Sequence, residues 1–334
     1  MKVWFPAIRA GSGTDVFTQR LADVLRRRGF EAEITWFAGN WQFAPFLLQT
    51  VRPPKGTTIV HANSWNGFAF ARRGIPLVVT EHLNVFDPQY RPHKSLAQNL
   101  YHQSLVRRFV CASLSKASVI TAVSRSAASS LKNVWPRFTA RVIHNWIDTR
   151  VFIPPERKRR SSGGPFELLF VGNLSRRKGA DLLAPIMREL GGRFHLRFTT
   201  GLRQSRPIPT EGNMIPMGRI TEESLLVRAY QDCDAVLVPS RFEGFGLTAL
   251  EAMACGKPVI ASRSSSLPEI VEDGVTGILC PIGDVSAFAA ACRKLAENPD
   301  LRNKYGQAAK RRAVELFSED AIIPRYVALY GELS

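Results

Sequence analysis

The stretch PSRFEGFGLTALEAMACGKPVIAS, residues 239–262, decides how the rest of the chain is read. An apolar run, residues 235–238, enters it as a β-strand. A short loop follows over residues 240–246. Residues 247–255 then read as a helix, with Leu247, Leu250 and Ala254 spaced for one buried face. Gly256 stops that helix, Pro258 follows two residues later, and residues 259–261 start the next buried strand. Strand, loop, helix and strand in this order make a repeating unit of a parallel α/β sheet.

The loop carries the chemistry. Gly244 and Gly246 have no Cβ to keep a ligand from the backbone, and they precede a helix N-terminus, where N–H groups and the helix dipole favour an anion. Glu243 stands before the helix and Glu251 within it. A carboxylate accepts two hydrogen bonds, which suits the vicinal hydroxyls of a sugar or a ribose. Diphosphate donors beside two hydroxyl readers describe a nucleotide-sugar site; the alternative is a pair of surface glutamates beside a turn.

Glu243 and Glu251 fit an E-x7-E spacing, and this spacing, the glycines, the helix and both flanking strands resemble the signature of the retaining GT4-type glycosyltransferases of the GT-B fold. The resemblance implies two Rossmann-like domains whose parallel sheets face across a cleft. It implies that Glu243 reads the donor hexose, that Glu251 reads the ribose, and that the donor lies along Gly244, Phe245, Gly246 and Leu247.

Length and composition agree with two globular domains: 334 residues, 45% hydrophobic and 22% charged. No apolar run is long enough to span a bilayer. Met1-Lys2-Val3-Trp4-Phe5 goes straight into a strand-like run, so no signal peptide is expected. The five cysteines lack a CxxC pair and suit buried thiols in a reducing cytosol. The net charge of +17 is uneven: residues 1–150 hold 20 Lys and Arg against 7 Asp and Glu, giving +13, and the remaining 25 against 21 give +4. Such a half attracts anionic lipid, nucleic acid or a phosphorylated substrate, or simply confers solubility.

In the N-terminal half, a strand at residues 2–6, the glycine-rich turn Gly11-Ser12-Gly13-Thr14 and a helix at residues 16–28 open a Rossmann-like unit. The G-x-G-x-x-G fingerprint of dinucleotide sites is absent. Gly11 and Gly13 are assigned to the donor phosphate and reacting sugar by resemblance. Residues 36–51 interleave Trp36, Phe37, Trp41, Phe43 and Phe46, which suits either a membrane or acceptor surface or helix packing. Two strands end in His61 and in Glu81-His82, at the sheet edge where open α/β folds bind ligands. Thr80-Glu81-His82 resembles the family's T-x-H segment, which would set His82 against the donor sugar. Residues 96–115 read as one long helix. His144-Asn145-Trp146-Ile147-Asp148 resembles the family's PNGVD turn, with a bulky Trp146 where that turn has glycine.

Residues 153–165, with Pro154-Pro155 and Ser161-Ser162-Gly163-Gly164, read as the interdomain linker. This sets the domains at 1–153 for the acceptor and 154–317 for the nucleotide sugar, with a last helix at 318–334 crossing back onto the first. After a strand at 166–171, Gly172-Asn173-Leu174-Ser175-Arg176-Arg177-Lys178-Gly179 is a basic loop before a helix and suits a diphosphate. It resembles the family's G-R-x(n)-K-G segment, which puts Lys178 on the pyrophosphate. Asn173 stands where many members have Arg, and Arg177 is the substitute. Residues 201–209 are a further basic loop. Thr221 and Ser224 suit a helix start.

The expected catalytic residues are Glu243, His82 and Lys178, with Arg177 among the donor ligands. No D-x-D lies in a suitable loop, so neither metal nor other cofactor is expected. The expected partners are a nucleotide sugar, a glycan or lipid-linked acceptor and an anionic membrane surface at the cytoplasmic face, not nucleic acid. Rival readings are a sugar phosphorylase, a nucleotide-sugar epimerase or a basic nucleic-acid-binding protein.

Overall fold

The structure is a computed structural model that describes residues 1–156, 163–201 and 208–334. The charge run of the linker and most of the basic loop at 201–209 lie outside the described residues. The chain divides into two compact units, residues 1–145 with 322–334, and residues 146–321.

In the first unit, strands β1 (Lys2–Ile8), β2 (Glu31–Phe37), β3 (Ile59–Asn63), β4 (Leu77–Glu81), β5 (Val119–Ala122) and β6 (Arg141–Val142) form one parallel sheet in the order β2-β1-β3-β4-β5-β6. The central strands are covered on both faces, so β1 is buried from Val3 to Ile8 and β4 along its whole length, whereas edge strand β2 mixes the exposed Glu31 and Glu33 with half-buried residues. The helix Gly13–Arg27 buries the stripe Phe17, Leu21, Val24 and Leu25. The long helix is interrupted: α-helix over Leu96–Tyr101, one π-helical stretch over His102–Val106, then α-helix over Arg107–Lys116. Residues from Ile322 onward in the last helix, Glu319–Leu333, belong to this unit; Tyr330 is buried and its hydroxyl meets His61 Nδ1 at 2.6 Å.

The second unit repeats the plan. Strands β7 (Phe166–Phe170), β8 (Phe194–Phe198), β9 (Met214–Pro216), β10 (Ala235–Val238), β11 (Val259–Ser262) and β12 (Gly277–Cys280) form a parallel sheet in the order β12-β11-β10-β7-β8-β9. Strand β9 is a three-residue edge and β12 opens on a glycine, which hides both from a reading by apolar runs. The helix Leu247–Ala254 is not amphipathic as expected. Ala249 through Ala254 are all buried while Leu247 is only partly so, because the helix packs between the sheet and the helix Pro299–Phe317. Helix Glu223–Asp232 starts from Glu222 rather than Thr221, and Ser224 hydrogen-bonds to the Glu222 carboxylate.

The first boundary also moves. Residues 146–153, expected in the first domain, belong to the second unit. The Ile147 N–H donates to Phe317 O at 2.9 Å, and the buried Phe152 ring lies against Tyr230. Trp146 is buried, and its φ is ordinary: among the described residues Ser265 alone of the non-glycines has positive φ.

Candidate active site

In the second unit the loops leaving β7 and β10 meet at the carboxyl edge of the sheet. After β7, the Ser175 hydroxyl and carbonyl both accept from the Lys178 N–H, folding Arg176–Lys178 into a single 3-10 turn. Gly179 ends it at φ +72°, and a Cβ there would lie 2.1 Å from Pro239 O at the end of β10. The Arg241 N–H donates to Arg177 O at 2.8 Å. The two loops therefore close on each other through backbone, and glycine at 179 is what permits it.

That closure brings Glu243 to Lys178 and Arg177. Lys178 Nζ lies 2.5 Å from Glu243 Oε1; Arg177 Nη1 lies 3.4 Å from Glu243 Oε2 and donates to Phe242 O at 2.7 Å. Glu243 is 7% exposed. Burial works against its charged form, but the charges of Lys178 and Arg177 outweigh burial and hold the carboxyl down at about 2. The carboxylate is ionised at any physiological pH, and both cations assigned to the diphosphate are engaged with it.

Three consecutive serines after β11 hold the loop in shape. Ser264 donates to Ser240 O, Ser266 donates to Phe245 O, and the Ser265 hydroxyl accepts the Glu243 N–H at 2.7 Å. Ser265 does so at φ +43°, a backbone conformation that costs free energy in a residue with a side chain and that is concentrated at functional sites. Gly246, at φ +106°, precedes the helix without a side-chain cap, and a Cβ there would press on Leu267 at 2.9 Å. The helix therefore opens through backbone alone, with Gly244, Phe245 and Leu247 alongside. One helical stretch further, the buried Glu251 accepts a 2.9 Å hydrogen bond from the Tyr230 hydroxyl. Burial first, and Glu251 second, push the Tyr230 phenol well above its usual value, so it remains a donor.

The first unit carries the other candidates. The β1 turn with Gly11 and Gly13 and the residue after β4, His82, share the carboxyl edge of one sheet, and Phe17 of the first helix meets the His82 ring at 4.7 Å between centroids. The amides of Ala10 and Gly11 already donate to the Asp15 carboxylate at 2.8–3.0 Å, so Gly11 does not present a bare N–H to a phosphate. Burial lowers His82 to about 4, and burial with the nearby His82 lowers His61 to about 3; both rings are neutral. His61 is bound by Tyr330 and, at 2.6 Å, by Thr80, which makes it a structural tie for the last helix. Beside His82, burial pushes Glu81 up to about 7, against hydrogen bonds from Ser64 and the Leu83 N–H.

Sequence reasoning missed Asp15, Tyr230 and Ser264–Ser266. The serines had a signal: three hydroxyls directly after a buried strand, at the edge where ligands bind. Tyr230 had none, because its partner Glu251 is 21 residues away. Among the described residues no group of three or more His, Cys, Asp or Glu is arranged to hold a metal ion, and no helix is long and apolar enough to cross a membrane.

Two family models match the chain: Glycosyltransferase Family 4 over residues 34–151, and Glycosyl transferases group 1 over residues 165–298. Among curated relatives, the N-acetyl-alpha-D-glucosaminyl L-malate synthase of Bacillus anthracis is 28% identical, over 66% of this chain and 61% of that protein. The MMP alpha-(1->4)-mannosyltransferase of Mycolicibacterium hassiacum is 28% identical over 89% and 76%, and the D-inositol 3-phosphate glycosyltransferase of Corynebacterium jeikeium is 35% identical over 58% and 52%. The chain thus spans from about half to three quarters of these relatives' lengths. Among solved structures, sucrose-phosphate synthase from Thermosynechococcus elongatus superposes with a TM-score of 0.83 at 20% identity, over 100% of this chain and 99% of that one. Anabaena HepE in complex with UDP-glucose gives 0.78 at 19% identity, over 99% and 100%. With both sheets built on one Rossmann-like plan and both matching models drawn from one group of enzymes, the chain belongs to the GT4-type glycosyltransferases of the GT-B fold.

Proposed function

We propose that the protein moves a hexosyl unit from a UDP- or GDP-linked sugar to a glycan or lipid-linked acceptor, with retention of anomeric configuration. The observation that carries this is the buried Glu243 carboxylate held by Lys178 and Arg177 beside a helix N-terminus. The donor diphosphate takes over Lys178 and Arg177, and Glu243 turns to the sugar hydroxyls. Charge on the departing diphosphate is then met by two cations and by amides near Gly244–Gly246, so no metal is needed for that task. Glu251, fixed by Tyr230, reads the ribose hydroxyls. The carboxyl edge of the first unit, with neutral His82, is assigned to the sugar and acceptor.

The step is a front-face displacement. The bond from the anomeric carbon to the leaving phosphate oxygen breaks, the bond to the acceptor oxygen forms on the same face, and the acceptor proton passes to the departing diphosphate. This route needs positioning and charge rather than a nucleophilic carboxylate. The UDP-glucose bound by HepE supports a nucleotide-sugar donor. The +13 charge of residues 1–150 supports an acceptor at an anionic membrane, at the cytoplasmic face, in envelope or exopolysaccharide synthesis.

The test is a thermal-stabilisation screen of UDP- and GDP-sugars followed by nucleoside diphosphate release with and without acceptor. Release only with acceptor is expected. A crystal soaked with UDP or GDP that placed the nucleotide away from Lys178 and Glu251 would refute the reading.

A further inference from the structure

Six of the exposed large hydrophobic side chains belong to two short segments of the first unit. Phe43, Phe46 and Leu47 are 57%, 50% and 55% exposed on the consecutive 3-10 turns Gly39–Phe43 and Pro45–Thr50. Leu96, Leu100 and Leu105 are 91%, 71% and 40% exposed on the interrupted helix. The two segments touch: the Tyr101 hydroxyl donates to Gln42 O at 2.8 Å, and the Phe43 and Tyr101 rings lie 5.5 Å apart. Leu96 and Leu100, four residues apart on one helix, share a face next to that junction. Contiguous apolar side chains at such exposure mark a docking surface rather than scattered surface residues.

The surroundings say what docks there. In sequence, Arg52, Lys55, Arg91, Lys94, Arg107 and Arg108 flank the apolar segments. Between residues 39 and 108 the only acidic residues are Glu81 and Asp87. Glu81 is buried, and Asp87 accepts from the Gln89 N–H and the Ser130 hydroxyl. Lys94, directly before the capping Ser95 of the helix, lies 5.6 Å over both the Phe86 and Tyr90 rings. Burial and the neighbouring Arg91 push its amine below the usual lysine range, so an anion beside it would be favoured. Arg107 lies over Phe86 and Trp135.

We propose that this face docks on a lipid bilayer containing anionic phospholipids, with Phe43, Phe46, Leu96 and Leu100 entering the headgroup boundary and Lys94, Arg91 and Arg107 meeting lipid phosphates. Apolar side chains set among cations are the pattern of an interfacial surface, which draws on area burial and on charge together. The face is made within the first unit; it rests on the membrane reading proposed above from the charge of residues 1–150 and gives that reading its residues, and it is independent of the donor chemistry assigned to Glu243 and Lys178.

The experiment uses the full chain with vesicles of phosphatidylcholine alone and of phosphatidylcholine with phosphatidylglycerol. Wild-type protein should co-sediment with the mixed vesicles, weakly with neutral ones, and less as salt rises. The triple variant Phe43→Ser, Leu96→Ser, Leu100→Ser should partition at least about tenfold less, with an unchanged melting midpoint and unchanged stabilisation by UDP or GDP. Lys94→Glu with Arg91→Glu should lose about tenfold on mixed vesicles and nothing on neutral ones. Undiminished vesicle binding by the triple variant, or no binding by wild type at any salt, overturns the proposal. So does a wild-type dimer that the triple variant dissolves, since the occupant would then be a second copy. A failure of UDP and GDP to stabilise wild type, with vesicle binding intact, would count against the donor assignment and not against this face.

Discussion

The two units put the same device, a strand's carboxyl end opening into a loop and helix, to opposite electrostatic use. In the second, Glu243 is buried yet charged, because Lys178 and Arg177 stand against it. In the first, the buried His61 and the half-buried His82 are neutral, and Glu81 is pushed toward its protonated form, because among the described residues no opposite charge offsets desolvation there. Burial alone thus does not fix the charge of a site. What decides it is whether the backbone brings a counter-charge within a few ångströms.

Removing the carboxylate of that ion-paired cluster should give the largest effect. Glu243→Ala should lower transfer by about 10²–10³-fold while the chain still unfolds cooperatively, its melting point reduced because Lys178 and Arg177 lose their carboxylate. Those cations are 17% and 21% exposed, so solvent recovers part of the cost. Wild-type turnover in this variant would remove Glu243 from the site. Lys178→Ala comes next: a higher donor KM and a lower kcat, together about 10²-fold in kcat/KM. An unchanged KM would separate Lys178 from the diphosphate.

Acid should distinguish the units. His61, His82 and His102 have folded values near 3, 4 and 4 against 6.5 for the free side chain. The unfolded chain binds more protons in that window, so the stability they contribute is complete above pH 6.5 and is lost as pH falls toward 3–4. Glu81, near 7 instead of 4.5, runs the other way: its contribution is complete below pH 4.5 and is lost as pH rises through 7. Three histidines outweigh it. Glu243, held at about 2, loses its contribution only as pH falls from 4.5 toward 2. Amide exchange followed from pH 7 to 4 should therefore show the first unit opening before the second; the reverse order would contradict the charge states assigned here.

Smaller effects test the supports. Tyr230→Phe removes the donor to Glu251 and should weaken nucleotide binding about five- to tenfold, with kcat nearly unchanged. Ser265→Ala should cost two- to threefold or so in kcat/KM, since it loses the hydroxyl that accepts the Glu243 N–H but leaves the other two serines in place.

The legible parts were those that depend on neighbours in sequence. The glycine, carboxylate and helix spacing of residues 239–262, the strand at 166–170 with its basic loop, and the stripe of the first helix were all readable, because strand and helix periods repeat within a few residues. The illegible parts were set by partners far away. Residues 146–153 read as first-domain chain, yet Ile147 answers to Phe317 and Phe152 to Tyr230. The helix at 247–254 reads as amphipathic, yet a second helix covers its outer face.

By itself, the sequence determined the enzyme family and the two-sheet architecture, and it set Arg177 and Lys178 in one short segment and Glu243 and Glu251 in another, since these reside in residue types at short fixed spacings. Only tertiary structure decided that Lys178 and Arg177 are engaged by Glu243, that Asp15 occupies the amides of the first glycine turn, and that Phe43 lies against Tyr101. Each of these joins side chains on separate segments, and their separation in space is fixed by how the sheets and helices pack.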